Sequence, residues 1–239
     1  MIKQNMITLN NLELYKKKII NYIQDEILKT PSPKDILKLN GELVDSFSGK
    51  GLIKRGSVTL TADAIATGFS NTSNTIATNV TSAMLKDGFE FNVKVRSSIY
   101  PTLAQIFVSD TCNLEKFRFE FNPISVVVWS FANSTANGLK EFGRIRCSDY
   151  GETEFEPNKW YIYNIKLSPE ICIATLMDEN YNIICQKESS GGALYSNTSG
   201  TIHIGHPLKN EYQAPYITVD LSETWFKDKD GNLISSWNK

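Results

Sequence analysis

The chain has 239 residues, 41% of them hydrophobic and 11% aromatic, with a formal net charge of −1. That is enough apolar material for one large core plus an appendage, and too little net charge for a bulk field that recruits nucleic acid or anionic membrane. No apolar run approaches the roughly 18 residues a membrane span needs, and Met1-Ile2-Lys3-Gln4-Asn5-Met6 lacks the apolar core and small-residue cleavage site of a signal peptide.

Residues 1–40 differ from the rest. Asn10 caps a predicted helix, and Glu13 three positions on completes a capping box. Leu12, Tyr15, Ile19, Ile23 and Ile27 then share one face at helical spacing, while Lys16, Lys17 and Lys18 point mostly away. Pro31 and Pro33 stop the helix, and a second short helix from Ser32 ends at Asn40-Gly41. A lone amphipathic helix of about 18 residues is marginal in water. Its stripe therefore packs on something: its own domain, or sister chains and docking partners. The position ahead of the rest of the chain favours oligomerisation or docking. The stripe covers two heptads, too few for a coiled coil.

From Glu42 onward the chain reads as strands, so residues 41–239 form one all-β domain. Phe89, Phe91, Val93 and Val95 alternate with Glu90, Asn92, Lys94 and Arg96. Phe117, Phe119 and Phe121 face one way, Arg118 and Glu120 the other. The run from Ile124 to Phe131 is nearly all apolar and predicts a strand buried on both faces or at the sandwich centre. Thr67 to Ser82, rich in Asn, Ser and Thr, predicts a loop or weak edge strand. Asp178 to Asn182 predicts a turn, Gly191-Gly192 a loop, and Asp230-Gly231 a hairpin.

Chemistry-bearing residues are few. Cysteines stand at 112, 147, 172 and 185 with no C-x-x-C pair, which argues against a zinc knuckle. Cys172 and Cys185 flank the predicted hairpin and are either buried free thiols or a pair facing each other, the former being the expectation for a reducing compartment. His203 and His206 lie three apart across Gly205 without a paired acid, a weak metal set. Asp228 to Asn232 resembles half a calcium loop but lacks the bidentate Glu and is better explained as a turn. No metal and no cofactor are expected. Glu152, Glu154 and Glu156 alternate, but between Gly151 and Pro157 they predict an exposed turn and no acid–nucleophile pair. No G-x-S-x-G elbow or Gly-rich phosphate loop is present. The sequons at Asn71, Asn79, Asn133 and Asn197 are read as composition.

The last eighty residues run through Lys159-Trp160-Tyr161-Ile162-Tyr163-Asn164-Ile165-Lys166-Leu167, a hairpin from Ile173 to Gln186, and Gly200-Thr201-Ile202-His203-Ile204-Gly205. They close with Tyr216-Ile217-Thr218-Val219-Asp220-Leu221 and Trp225-Phe226-Lys227-Asp228-Lys229-Asp230-Gly231-Asn232. This order resembles the concanavalin A-like lectin/glucanase jelly roll over roughly residues 45–237, and the closing stretch resembles the end of such domains in bacteriophage tail-fibre and virion appendage proteins. The Asn-, Ile- and Lys-rich composition fits an AT-rich genome. The resemblance implies a concanavalin A-like jelly-roll β-sandwich preceded by a short α-helical segment. It implies a non-enzymatic virion structural protein, synthesised in the host cytoplasm: a tail or head fibre, baseplate component or capsid decoration. Other virion proteins, sister copies and a host surface glycan would be its partners. The alternatives are an endoglycanase or depolymerase on the same fold, or a cellular carbohydrate-binding module. The resemblance also places Trp160 in the core, and Trp129 after Val126-Val127-Val128 is expected there too. Glycan-binding candidates are then the loop and terminal aromatics Tyr150, Tyr195, Tyr212 and Trp237, which offer stacking faces outside the strands.

Overall fold

The computed structural model describes residues 53–61, 63–100, 104–109, 117–131, 139–192, 200–206 and 214–236. The predicted N-terminal helix with its stripe Leu12, Tyr15, Ile19, Ile23 and Ile27 lies outside them, as do Cys112, Tyr195, Tyr212 and Trp237.

The strands are β1 (Ile53–Arg55), β2 (Thr59–Leu60), β3 (Ile65–Thr67), β4 (Thr75–Thr81), β5 (Phe89–Ser97), β6 (Ala104–Ser109), β7 (Arg118–Asn122), β8 (Ser125–Phe131), β9 (Leu139–Arg146), β10 (Tyr161–Leu167), β11 (Ile171–Met177), β12 (Ile183–Ser190), β13 (Thr201–Ile204), β14 (Ile217–Asp228) and β15 (Leu233–Ser236). They form two antiparallel sheets. Sheet 1 has seven strands in the order β1-β4-β13-β6-β7-β8-β9. Sheet 2 has eight, in the order β12-β11-β10-β5-β14-β3-β2, with β15 added beside β14. The expected sandwich is therefore the observed one.

Alternation decides which side chains enter the core. Phe89, Phe91, Val93 and Val95 of β5 point inward with Tyr161, Tyr163, Ile165 and Leu167 of β10. Phe107, Phe119 and Phe121 meet them from sheet 1. Phe91 sits at the centre, stacked on Phe226 of β14 at 4.4 Å and edge-on to Phe107, Phe117 and Phe119. Val126, Val127 and Val128 are all buried, as the apolar run on β8 predicts.

Thr67 to Ser82 departs from the expectation of a loop or edge. It contains β4, an internal strand paired with β1 on one side and β13 on the other. Thr and Asn read as loop formers, yet β-branched Thr75, Ile76, Thr78 and Val80 suit a strand. The buried Thr78 hydroxyl is satisfied by the carbonyl of Ile202 at 2.7 Å.

The sheets end in unequal strands. β1 and β2 are three and two residues long, while β12 carries Gln186, Lys187 and Glu188 along its length. Asp149, in the 3-10 turn Cys147–Tyr150 after β9, ties one edge to the other. Its carboxylate accepts the Arg146 N–H at 2.6 Å and the Lys187 ammonium on β12 at 2.9 Å. Burial alone pushes this carboxyl up, but the hydrogen bonds from Arg146 and Lys187 outweigh it and hold it below its ordinary 3.8. A depressed folded-state pKa contributes stability above the unfolded value, and that stability is lost as pH falls through the folded value. Asp149→Asn is therefore expected to unfold at lower urea than the parent at neutral pH. The gap should close below about pH 4. Urea midpoints at several pH values check this, and a gap that persists in acid would assign the effect to something other than the charge.

Candidate functional site: the outer face of sheet 2

The second phase of the alternation points away from the core and builds one continuous polar face. From β5 come Glu90, Asn92, Lys94 and Arg96. From β10 come Trp160 just before the strand, Ile162, Asn164 and Lys166, and from β14 come Thr218, Asp220, Trp225 and Lys227. Pairing registers place Ile162, Lys94 and Asp220 in one row across the three strands and Asn164, Asn92 and Trp225 in the next.

Trp160 is thus not a core residue. It is half-exposed, with the Arg96 guanidinium 4.5 Å and the Lys94 ammonium 5.5 Å from its ring centre. Period two forces this once Tyr161 and Tyr163 face inward. Trp225 shares the face, with Lys227 Nζ 4.6 Å from its ring. Two planar amides, Asn92 and Asn164, continue the row of Trp225 across β5 and β10. Asn164 Nδ2 donates to Glu90 Oε1 at 3.2 Å and to Asn92 Oδ1 at 3.3 Å, while Asn92 Nδ2 donates to the Glu223 carbonyl at 2.7 Å. Asp220 pairs with Lys94 at 3.6 Å and Glu90 with Lys227 at 3.9 Å. A cavity of about 170 Å³ opens at one end of the face, walled by Glu90, Lys166, Ser168, Asp228 and Lys229.

Tyr181 reaches over this face from the β11–β12 hairpin, and its hydroxyl donates to the Glu223 carboxylate on β14. Two strands, β10 and β5, lie between these attachment points. Ile162 and Asn92 on those strands point outward and are nevertheless buried.

The outer face of sheet 1 differs. Thr75, Ala77, Val108, Glu120, Val127 and His203 on it are all buried. Trp129, expected in the core, stands on this face between the guanidinium groups of Arg118 at 5.3 Å and Arg144 at 5.2 Å. Both arginines are held by carboxylates, Glu120 at 3.7 Å and Glu141 at 2.9 Å. That is a closed packing arrangement with little room for a ligand.

Of the aromatic ligand candidates only Tyr150 is among the described residues. It is half-buried against the core, and its hydroxyl donates to Cys147 Sγ at 3.2 Å, so that group is engaged within the chain. Glu152, Glu154 and Glu156 are exposed in an irregular segment before β10, and Glu156 is held by Lys159 at 2.5 Å. His203 and His206 are buried, His203 Nδ1 lying 3.4 Å from Thr75 Oγ1. Among the described residues no three His, Cys, Asp or Glu side chains gather closely enough to hold a metal. Cys147, Cys172 and Cys185 are free thiols. Cys172 pairs in register with Ser189 and Cys185 with Leu176, so the two cysteines do not face each other.

The sequence reading missed Trp160, Trp225, Asn92, Asn164 and Tyr181 as a group. A signal existed for three of them: Asn92, Asn164 and Trp160 keep the phase opposite to the apolar Phe89-to-Val95 and Tyr161-to-Leu167 rows, whereas Trp225 has the parity of the inward Ile217 and Val219 and is turned outward only by the irregularity between Asp220 and Trp225.

No protein-family model matches this sequence, and no curated protein is similar to it. Among solved structures the chain is similar to the botulinum neurotoxin serotype D binding domain, with a TM-score of 0.54 and 13% identity over 80% of this chain and 46% of that one. It is similar to the receptor binding domain of botulinum neurotoxin mosaic serotype C/D, with a TM-score of 0.54 and 14% identity over 81% and 47%. It is also similar to the binding domain of botulinum neurotoxin DC in complex with rat synaptotagmin II, with a TM-score of 0.52 and 15% identity over 81% and 46%. The chain spans less than half the length of each. At these identities the likeness is one of fold.

Proposed function

We propose that this chain is a glycan-binding β-sandwich of a tailed-phage virion appendage, and that the outer face of sheet 2 holds the host surface glycan. The observation that carries the reading is that Trp160, Trp225 and Asn164 are partly exposed on one face, where the buried Asn92 holds the Asn164 amide in place. Sugar rings present apolar C–H faces, which indoles stack against, and fans of hydroxyls, which planar amides and carboxylates satisfy. The sandwich likeness to toxin binding domains supports a recognition role by analogy of fold. The phage assignment rests on the resemblance of the closing segment, Ile217 to Asn232, to the ends of virion appendage domains. In this reading the N-terminal stripe joins the domain to sister copies or other virion proteins.

The same face supports a non-catalytic role. Glycoside hydrolysis needs one carboxyl held protonated beside an ionised partner, and apolar isolation is the usual means. Here Glu90 has Lys227 and Asn164, Asp220 has Lys94, and Glu223 has Tyr181. Such partnered carboxylates suit holding hydroxyls in place.

An array of bacterial surface polysaccharides tests the reading. Trp160→Ala and Trp225→Ala are each expected to weaken binding about tenfold, since lost stacking of roughly 1.4 kcal/mol corresponds to that factor. Both indoles lie outside the core, so both variants should melt within a few degrees of the parent. A parent that binds no glycan sinks the proposal. Reducing-sugar release by the parent would instead favour the depolymerase alternative.

A further inference from the structure

The hairpins β11–β12 and β14–β15 turn on one pattern. In Asp178–Asn182, Asp178 Oδ1 accepts the backbone N–H of Asn180 at 2.8 Å and of Asn182 at 2.9 Å, and Oδ2 accepts Asn182 Nδ2 at 2.8 Å. In Asp228–Asn232, Asp228 Oδ1 accepts the N–H of Asp230 at 2.9 Å and of Asn232 at 2.8 Å, and Oδ2 accepts Asn232 Nδ2 at 3.1 Å. The fourth residue of each turn is left-handed, Tyr181 at φ 63° and Gly231 at φ 80°. A three-residue hairpin loop wants glycine there. The second hairpin has it. The first carries a tyrosine, whose β-carbon is disfavoured in that conformation.

A second irregularity lies across the face. Asp220 pairs with Lys94 and Trp225 with Asn92, so five steps along β14 match two along β5. The three surplus residues form a bulge that carries Glu223. It is held by the Thr224 hydroxyl on the Asp220 carbonyl at 2.8 Å, and by Asn92 Nδ2 on the Glu223 carbonyl at 2.7 Å. A strained turn on one side and a bulge on the other thus bring the Tyr181 hydroxyl to the Glu223 carboxylate. Strain of this kind persists where function uses it. Tyr181 is 50% exposed, so a ligand can reach its ring. Burial, and then the hydrogen bond to Glu223, push its hydroxyl above the ordinary tyrosine range, which keeps it a donor at physiological pH. Among the described residues no cation pairs with Glu223.

We infer that Tyr181 and Glu223 form a clasp that holds a neutral saccharide: the Glu223 carboxylate accepts a vicinal diol, and the Tyr181 ring, released from it, lies against the apolar face of the sugar. This rests on the outer face of sheet 2 being the glycan surface. With no cation paired to it among the described residues, the Glu223 carboxylate accepts hydroxyls and repels uronates and sialates. The closed clasp also stands across the middle of the face, so it admits a chain end or a short branch in preference to the interior of a stiff polymer.

The experiment compares the full chain with its Tyr181→Gly and Glu223→Gln variants. All three are applied to an array of neutral and carboxylate-bearing oligosaccharides, and the strongest array binder is then titrated calorimetrically. The parent is expected to bind neutral glycans, and each variant to bind at least about tenfold more weakly. Tyr181→Gly copies the twin hairpin, so its melting temperature should hold or rise, by up to about 4 °C. Undiminished binding in both variants, or a preference for acidic glycans, would overturn the clasp while leaving the glycan surface standing. A marked fall in the melting temperature of Tyr181→Gly would also overturn it, because Tyr181 would then be a structural residue. A parent that binds nothing on the array overturns the clasp and the surface together.

Discussion

Phe91→Ala is expected to be the most damaging of the truncations considered. The ring is fully buried, stacked on Phe226 at 4.4 Å with the planes 22° apart, and edge-on to Phe107 at 5.1 Å and to Phe117 and Phe119 at 5.7 Å. Four aromatic neighbours around one ring leave little freedom to collapse into the space it vacates. Truncating a buried Phe costs about 3–5 kcal/mol, out of a total stability of about 5–15 kcal/mol for a typical domain. For a domain of this size the melting temperature should fall by on the order of 10 °C. Scanning calorimetry checks it. A fall of only one or two degrees would mean that the ring cluster is not the centre of the core.

Gly143→Ala is expected to cost a similar amount by the opposite route, overfilling. Gly143 lies on β9 at an irregularity where Val126 pairs with Ile145 but Val128 pairs with Phe142. Its φ is +60°. An added β-carbon would lie 2.6 Å from Tyr163 Oη, 2.8 Å from Ile165 Cδ1 and 2.9 Å from Ala174 Cβ. The Tyr163 hydroxyl, fully buried, donates to the Gly143 carbonyl at 2.8 Å, so moving either group breaks that bond. The backbone term of about 1–2 kcal/mol and an overpacking term of about 1–3 kcal/mol add here. Gly151→Ala separates the two. Gly151 also has positive φ, at 85°, but a β-carbon there meets nothing within 4 Å, so only the backbone term remains. Equal denaturant midpoints for the two alanine variants would remove the packing contribution.

The core was legible in the sequence because strands with one apolar phase state their own orientation. Phe89 to Val95 and Phe117 to Phe121 needed only a period of two. β4 was hidden because threonine and asparagine signal loops as readily as strands. What settles Thr78 is an acceptor on Ile202, 124 residues away along the chain. The candidate surface was half legible. The polar phase of β5 and β10 announces Asn92, Lys94, Asn164 and Lys166, and that same phase contains Trp160. Expecting a large indole inside overrode the alternation, although a flanking arginine serves it on the surface. Tyr181 was legible only by comparing distant segments: Asp178 and Asn182 stand at the same spacing as Asp228 and Asn232, and the residue before the asparagine is Tyr in one pair and Gly in the other. The bulge that lifts Glu223 leaves no such trace, because register between strands is a property of the sheet and not of either strand alone.

The sheet edges carry a further consequence, for whether one copy of this domain can add strands to another. An open edge with free N–H and C=O groups is a template on which another chain can add a strand, the route to runaway aggregation. The four strands that end the two sheets, β1 and β9, β12 and β2, offer poor templates. β1 and β2 give three and two residues of pairing, and β12 presents Lys187 and Glu188 to any incoming strand. β9 is kinked at Gly143, and its Lys140, Glu141, Arg144 and Arg146 meet a newcomer with mixed charge. Many copies held side by side at high local density, as on a particle surface, would resist zippering into a continuous sheet through these edges.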